Sequence, residues 1–314
     1  MVIVCIATGL VASAAAAGDS ARQGVDYDKL SVSQLQCVAG NNAALGEHRA
    51  GYNGLFSLRA SAADASPFVP QYAGLNLEHY FDTRPRPDAS NVFFEPRASA
   101  MEFKRLGDTG AELHQPPTSV YGVESWTRIE LKDPYYADLT FRCVAHKADL
   151  GGDLLGVFWA SYIDAPEDKS LYFLEAGSTL DKPSWVQYCT QEHGRDSTVC
   201  SEKDELKIPF AGGPGTLYSS ISPLRYSVPF FYGRFRDKVL IYVFKPGPVV
   251  RFSHSPSGGG RTASGDAQNP AWDFQLIVPG YRPGAEYGLE MRLVYKPWAG
   301  RNDVLEEVRK YLAK

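Results

Sequence analysis

The sequence predicts an all-β protein, a large antiparallel β-sandwich with a short C-terminal helix. From Gly51 onward, short alternating apolar runs are separated by Gly, Pro, Asp and Asn, which is typical of sandwiches and barrels. The 21 prolines and 29 glycines of this 314-residue chain are spread along its length and leave little room for long helices. Only near the C-terminus do apolar residues recur at helical spacing.

The segment 123–131 shows the strand pattern most clearly. Val123, Thr127 and Ile129 lie on one face of the predicted strand, and Trp126 and Arg128 lie on the other. Similar runs predict strands at 101–106, 136–146, 155–163, 170–174, 228–234, 239–244, 249–254, 272–278 and 287–295. These strands are numerous enough for one large sandwich.

The predicted helix follows Asp303. Asp303 and Glu306 form a capping-box-like start. The apolar residues after Asp303 recur at helical spacing: Val304, Leu305, Val308, Tyr311 and Leu312. We expect a short amphipathic helix that closes the domain.

Three segments are predicted along the chain. Residues 1–17 resemble a secretory signal, because Val2 to Ala17 is an apolar run that ends in small residues. This run is shorter than the roughly 20 residues that span a membrane, so we expect export to the periplasm or the extracellular space and no integral membrane segment after signal removal. Residues 18–50 form an N-terminal lead-in, and residues 51–314 form a single β-sandwich domain.

Composition narrows the range of partners. The formal net charge is −4, and lysine and arginine are scattered rather than clustered. A nucleic-acid binder needs a basic patch or stripe, so no nucleic-acid partner is expected. The sequence has no G-x-S-x-G elbow, no H-E-x-x-H motif and no nucleotide-binding fingerprint.

Four cysteines remain after signal removal: Cys37, Cys143, Cys189 and Cys200. They allow three pairings. One hypothesis is a disulfide between Cys189 and Cys200 that closes a hairpin around the polar loop between them. Cys143 fits either a small core residue or half of a disulfide, so the pairing stays open.

Polar and aromatic residues are concentrated in four clusters between residues 76 and 128. They are Asn76–Asp82, Phe94–Arg97, Glu112–Pro117 and Tyr121–Arg128. A histidine near carboxylates titrates near neutral pH and suits acid–base catalysis. The candidate catalytic residues are therefore His79, His114, Glu95 and Glu124. His79, Glu95 and His114 could also hold a metal ion, but no spacing requires it, so metal and cofactor stay undetermined.

Candidate substrate-binding residues accompany these groups. Arg97 can bind a substrate carboxylate bidentately or pair with Glu95. Trp126, between Glu124 and Arg128 on one strand face, suits stacking on a pyranose. The second half of the chain adds Trp159, Arg234, His254 and Trp272. The alternative is structural: buried, hydrogen-bonded histidines and aromatic stripes in the core.

Several segments resemble the galactose-mutarotase-like supersandwich of aldose epimerases and some polysaccharide lyases. They are Gly51–Leu58, Leu77–Phe81, Val123–Leu131 and Pro279–Gly284. The resemblance implies a carbohydrate-active protein in which a histidine acts as general acid and a late glutamate as general base. His79 or His114 matches the first role, and Glu286 and Glu290 match the second by position alone.

The functional hypothesis is an exported enzyme that acts on a sugar or uronate-containing saccharide by His/carboxylate chemistry, as a lyase, epimerase or hydrolase. One alternative is a non-catalytic carbohydrate-binding module, and another is a structural envelope protein. The enzyme hypothesis expects His79 and His114 at the centre of one pocket.

Overall fold

The structure, a computed structural model, describes residues 25–313. Its strands are β1 (Tyr27–Val32), β2 (Leu35–Gly40), β3 (Gly54–Arg59), β4 (Asn76–Phe81), β5 (Glu102–Leu106), β6 (Gly110–Gln115), β7 (Val123–Lys132), β8 (Tyr136–Ala145), β9 (Leu154–Ala160), β10 (Leu171–Leu174), β11 (Trp185–Tyr188), β12 (Thr198–Ser201), β13 (Ile221–Tyr226), β14 (Phe230–Phe235), β15 (Lys238–Phe244), β16 (Val249–Ser255), β17 (Ala271–Pro279) and β18 (Glu286–Pro297). Its α-helices are α1 (Ser90–Phe93), α2 (Glu95–Ala98) and α3 (Arg301–Leu312).

Two large sheets pack face to face. One has nine strands in the order β11-β10-β14-β15-β18-β8-β7-β6-β5, and the other has six in the order β13-β12-β16-β17-β9-β4. The strands β1, β2 and β3 form a third, smaller sheet. Neighbouring strands are antiparallel except β12 and β13, which are parallel. The predicted all-β sandwich is confirmed.

The main core lies between the two large sheets. The alternation in β7 places Val123 and Ile129 in this core, as predicted. From the six-stranded sheet come Trp159 and Phe274, whose rings stack with centroids 5.0 Å apart. Burying such large apolar side chains supplies the main stabilising free energy of the sandwich, at about 25 cal/mol per Å² of apolar surface.

The C-terminal helix packs on the outer face of the nine-stranded sheet. Val304, Leu305 and Val308 are buried there against strands β14, β15 and β18. The capping-box interpretation was wrong: Gly300 occupies the N-cap, and no side chain caps the helix. The Asp303 carboxylate instead accepts a hydrogen bond from Lys296 Nζ at 2.7 Å, because this lysine projects from β18 beneath the helix.

The segment predicted as a lead-in, residues 18–50, contains β1 and β2. Strand β1 pairs with β2, and β2 pairs with β3. Leu30, Leu35 and Cys37 of β1 and β2 lie in the main core. The signal-like segment 1–17 lies outside the described residues, so the division into segments stays a prediction. No helix within residues 25–313 is long and apolar enough to cross a bilayer.

The four cysteines of the described chain are free thiols. The hypothesis of a Cys189–Cys200 disulfide in a hairpin was wrong, because the flanking strands do not pair. Strand β11 pairs with β10 in the nine-stranded sheet, whereas β12 pairs with β13 and β16 in the six-stranded sheet. Cys143 is a fully buried core residue.

Candidate functional site

A β-bulge in β4 places two consecutive polar side chains on one face. Leu77 pairs with Trp159 of β9, but His79 pairs with Phe158, so Glu78 is an extra residue in the ladder. Leu77 and Tyr80 therefore point into the main core, while Glu78 and His79 both point to the opposite face. Bulges are frequent next to active sites because they re-aim a side chain.

Glu78 and His79 open into a cavity of about 240 Å³ on the outer face of the six-stranded sheet. This site cavity lies between β4, β9 and β17 on one side and the segments around 93–97, 193 and 215–218 on the other. Ligand sites in proteins are concave and carry a few convergent polar groups among apolar ones. The site cavity is lined by polar and aromatic side chains, among them Tyr52, Tyr72, Glu78, His79, Arg86, Phe93, Phe94, Arg97, Tyr162, His193, Tyr218 and Asp273.

The contacts of His79 define its tautomer. Its Nδ1 lies 2.7 Å from the carbonyl oxygen of Phe93, which can only accept, so Nδ1 carries the proton. The other nitrogen, Nε2, lies 3.4 Å from Glu78 Oε2. Burial lowers the pKa of His79 below its ordinary value, and this outweighs the opposing effect of Glu78. The neutral ring therefore holds a lone pair at Nε2, as a general base requires.

Glu78 is the centre of a buried polar network. Its Oε1 accepts a hydrogen bond from the Tyr162 hydroxyl and lies 3.3 Å from Arg97 Nη1. Arg97 is itself fixed, because its Nε donates to the carbonyl oxygen of Gly51 at 3.0 Å and its guanidinium stacks 3.7 Å from the centroid of Tyr52. The network holds the Glu78 carboxylate in one position beside His79.

A second carboxyl group, that of Asp273, enters the site cavity from β17. Trp272 and Phe274 point into the main core, so Asp273 points to the cavity face. Its Oδ1 accepts a hydrogen bond from the Ser161 N–H at 3.2 Å, while the buried Oδ2 has no partner among residues 25–313. Burial raises the pKa of this carboxyl well above its ordinary value, and Glu78 raises it further. Asp273 therefore favours the protonated acid.

Aromatic rings form one wall of the site cavity. Tyr72 lies with its ring centroid 4.6 Å from that of Tyr52 and 5.0 Å from that of Tyr162. Phe93 and Phe94 pack against the imidazole of His79 at 4.2 and 4.8 Å. Flat apolar surfaces beside hydrogen-bonding groups can bind a ligand that has both an apolar face and polar edges.

The other predicted histidine, His114, lies on the opposite side of the sandwich. The Tyr80 hydroxyl donates to Gln115 Oε1 at 3.1 Å between the two sheets. His79 and His114 immediately precede these residues in their strands, so each points away from the interior on its own outer face. The expectation of one pocket centred on both histidines does not match this arrangement.

His114 belongs to a network that we call the outer-face cluster, made of Glu102, His114, Glu124, Trp126, Arg142 and His146. His114 Nε2 lies 2.9 Å from Glu124 Oε1, and His114 Nδ1 lies 3.2 Å from Glu102 Oε2. His146 Nε2 lies 2.9 Å from the second oxygen of Glu124. Partial burial lowers the pKa of His114, but the hydrogen bonds to Glu124 and Glu102 outweigh it and raise the pKa overall.

Trp126 is not available as a platform for a sugar ring. His114 and Arg142 are its partners on the two adjacent strands. The His114 ring stacks on one face at 5.1 Å and 15°, and the Arg142 guanidinium lies 4.0 Å from the centroid on the other. Both faces of the indole are therefore covered, and stacking with a ligand would require one neighbour to move.

The remaining predicted site residues have structural partners elsewhere. Glu95 is buried, and its carboxylate accepts hydrogen bonds from the N–H groups of Val120 and Tyr121, so it braces a loop. Trp159 and Trp272 are fully buried in the core, which corrects their assignment as ligand contacts. Buried aromatic side chains in a β-sandwich usually serve packing, and here they do.

His254, Arg128 and Arg234 also lie outside the site cavity. His254 is fully buried, with Nε2 2.9 Å from the carbonyl oxygen of Lys169 and Nδ1 2.7 Å from Thr190 Oγ1. Burial lowers its pKa to about 4, so it is a neutral structural histidine. Arg128 lies on the outer face of the nine-stranded sheet, and the guanidinium of the exposed Arg234 lies over the ring of Trp298.

Of the predicted site residues, His79 and Arg97 line the site cavity. Sequence reasoning did not assign roles to Asp273, Tyr162 or His193, which come from distant parts of the chain. Asp273 did carry a signal, since it is the one acid within the apolar run 271–279. Within residues 25–313 no three His, Cys, Asp or Glu side chains come together as a metal site, and His79, Glu95 and His114 do not converge.

No family model matches this sequence, and no curated protein matches it. Solved structures do match its fold, which is the galactose-mutarotase-like β-sandwich. A candidate aldose 1-epimerase from Escherichia coli K12 is 11% identical, with 87% of this chain and 99% of that chain covered and a TM-score of 0.50. The predicted resemblance is therefore confirmed for the fold.

Two further structures match with lower scores. A GalM/aldose epimerase homologue from C. elegans is 11% identical and covers 86% of this chain and 98% of its own, with a TM-score of 0.45. The heparan sulfate lyase HepC from Pedobacter heparinus is 10% identical and covers 85% of this chain and 34% of its own, with a TM-score of 0.41.

Proposed function

We propose that this protein is a carbohydrate-active enzyme that performs acid–base chemistry on a saccharide bound in the site cavity. The observation that carries the proposal is the bulge in β4, which turns Glu78 and His79 together into a cavity that also holds the carboxyl of Asp273, whose Oδ2 has no partner among residues 25–313. The fold shared with an aldose 1-epimerase-like protein is consistent with a sugar as the ligand.

The two titratable groups suit opposite roles. The lowered pKa of His79 keeps its Nε2 free to accept a proton, and the raised pKa of Asp273 keeps its carboxyl protonated and able to donate one. Environments that push two pKa values apart in this way distinguish the base from the acid. Epimerisation, elimination and glycoside hydrolysis all need one group that removes a proton and another that supplies one.

Glu78, Arg97 and Tyr162 are positioning residues in this proposal. Their mutual hydrogen bonds fix the Glu78 carboxylate beside the His79 imidazole. The rings of Tyr72 and Tyr162 offer apolar surface to a sugar ring. A ring held in one orientation brings its reacting atoms to His79 and Asp273, and such positioning supplies a large part of catalytic rate enhancement.

A saccharide screen tests the proposal. Neutral and uronate-containing saccharides are incubated with wild type, His79→Gln and His114→Gln, and products are detected by mass spectrometry. We expect turnover by wild type, a loss of roughly 10²- to 10⁴-fold in His79→Gln, and wild-type turnover in His114→Gln, whose side chain lies outside the cavity. Equal turnover by wild type and His79→Gln contradicts the site. Binding without turnover by wild type supports the alternative of a carbohydrate-binding module.

Export is part of the same proposal and rests on the apolar run Val2 to Ala17. We expect the mature protein, recovered from cell fractions, to begin near Gly18 and to lie outside the cytoplasm. N-terminal sequencing of each fraction measures this, and an unprocessed chain confined to the cytoplasm contradicts it.

A further inference from the structure

An arginine at the mouth of the site cavity, Arg86, has no carboxylate partner among residues 25–313. It follows β4 in an exposed loop, and its guanidinium carbon lies 4.3 Å from the centroid of Phe93. Within the part of the chain that the structure describes, this guanidinium makes no ion pair and no hydrogen bond. By contrast, Arg84 pairs with Asp82 at 2.5 Å.

Arg97, the residue that the sequence favoured for holding an anion, is already occupied. Its donors are directed to Glu78 and to the carbonyl oxygen of Gly51, and its two faces are near the rings of Tyr52 and Phe94. An incoming anion would have to displace the Glu78 carboxylate from it. Arg97 therefore positions Glu78 and is a poor anion receptor.

The charges in the site cavity do not cancel. Arg97 is neutralised by Glu78, and Asp273 favours its protonated form. Burial lowers the pKa values of His79 and His193, and Arg86 lowers both further, so both rings favour the neutral form. The positive charge of Arg86 remains, and a site with an uncompensated positive charge favours a negatively charged ligand.

A recess adjoins Arg86 and has room for a small anionic group. Its volume is about 120 Å³, and it shares Arg86, Gly215, Thr216 and Tyr218 with the site cavity. The wall of the recess is the segment 211–216, in which Gly212 and Gly213 adopt positive φ and present backbone without side chains. A group attached to a ring in the cavity can therefore enter the recess beside the guanidinium.

We infer that Arg86 and this recess bind the acidic group, a carboxylate or a phosphate, of the saccharide held in the site cavity. The inference rests on the proposed function and adds a substrate class to it. The planar guanidinium binds either group bidentately, which gives orientation as well as affinity. Anchored in this way, the acidic group fixes the ring relative to His79 and Asp273.

Calorimetric titration of three related ligands tests the inference: a neutral hexose, its uronate and its 6-phosphate, in the glucose and galactose series. We expect wild type to bind one anionic form roughly 10- to 100-fold more tightly than the hexose, as charge-assisted hydrogen bonds provide. Arg86→Gln should lose this ratio and keep the hexose affinity. The matched control Arg236→Gln, which removes a charge at the β14–β15 turn, should keep the ratio.

The outcomes separate this inference from the proposed function. If wild type binds hexose and anion equally, or Arg86→Gln keeps the anion preference, the anion subsite is wrong while saccharide binding stands. Titration with inorganic phosphate alone tests the case in which the anion subsite exists but no saccharide binds. Phosphate binding that Arg86→Gln abolishes, without any saccharide binding, supports the subsite and overturns the proposed function. No binding of saccharide or phosphate by wild type overturns both.

Discussion

The site cavity and the outer-face cluster contain the same kinds of residues but use them differently. Each has a histidine beside at least one glutamate, together with an arginine and aromatic rings. In the outer-face cluster both histidines pair with carboxylates, and both faces of Trp126 are covered. In the site cavity, the Asp273 Oδ2 atom and the Arg86 guanidinium make no hydrogen bond or ion pair within the described chain.

The pKa values of His79 and His114 shift in opposite directions. Burial dominates at His79 and lowers its pKa, whereas two carboxylates dominate at the partly exposed His114 and raise its pKa. A histidine among carboxylates is therefore a weak sign of catalysis by itself. What distinguishes the two regions is whether polar atoms remain free in a concave space.

Asp273→Asn should reduce turnover more than any other substitution considered. If it does not, the contrast between the site cavity and the outer-face cluster fails. Asparagine keeps the size and the hydrogen bond from Ser161 but cannot donate an acidic proton, so we expect turnover to fall roughly 10²- to 10⁴-fold. Steady-state kinetics on the substrate found in the screen measure this. Turnover within a few-fold of wild type would show that Asp273 serves only packing.

The pH dependence of stability tests whether Asp273 is protonated in the folded protein. Because the pKa of Asp273 is raised, the folded state holds a proton that the unfolded state loses above about pH 4. Wild-type stability should therefore fall as pH rises above that value, and Asp273→Asn should lack this component. Thermal unfolding of both proteins from about pH 4 to 8 measures the difference. A pH-independent difference would contradict the buried protonated acid.

His114→Gln should have the smaller effect, on stability alone. The raised pKa of His114 means that its ion pairs are fully present below the ordinary pKa of 6.5 and are lost as pH rises through the raised value. We expect the loss of stability in the variant to be larger near pH 5.5 than near pH 9 by about 0.2–1 kcal/mol, because only the ion pairs depend on the charge of His114. Urea unfolding at the two pH values measures this, and a difference that grows with pH would contradict the assignment.

Much of the fold could be predicted because alternation in strands is local. The inward residues of β7 and the bounds of β15 and β16 follow from hydrophobic runs, and the apolar residues of α3 follow from helical spacing. The strands β1 and β2 were missed because their few apolar residues are only weakly periodic, and the ladder from β1 through β2 to β3 stabilises them. The helix start at Arg301 was missed because Gly300 occupies the N-cap and carries no capping side chain, whereas Asp303 pairs with Lys296.

The site was predicted only in part because it depends on pairing between distant segments. His79 and Arg97 were identified from neighbouring charges, which are local. The separation of His114 from His79 follows from the direction of each side chain, and that direction is set by contacts such as Tyr80 with Gln115. Asp273 enters the cavity only because β17 lies near β4, with β9 between them. No sequence pattern near His79 contains that information.

The bulge in β4 adds a polar side chain to the cavity without contributing to the core packing. Without Glu78, the strand would alternate regularly, with Leu77 and Tyr80 inward and His79 and Phe81 outward, and the same core would form. The carboxylate beside the imidazole thus depends on one surplus residue. Related sandwiches that differ by a single-residue deletion at this position would keep the architecture and lose the paired groups, so inheritance of the fold and inheritance of this pair of side chains are separable events.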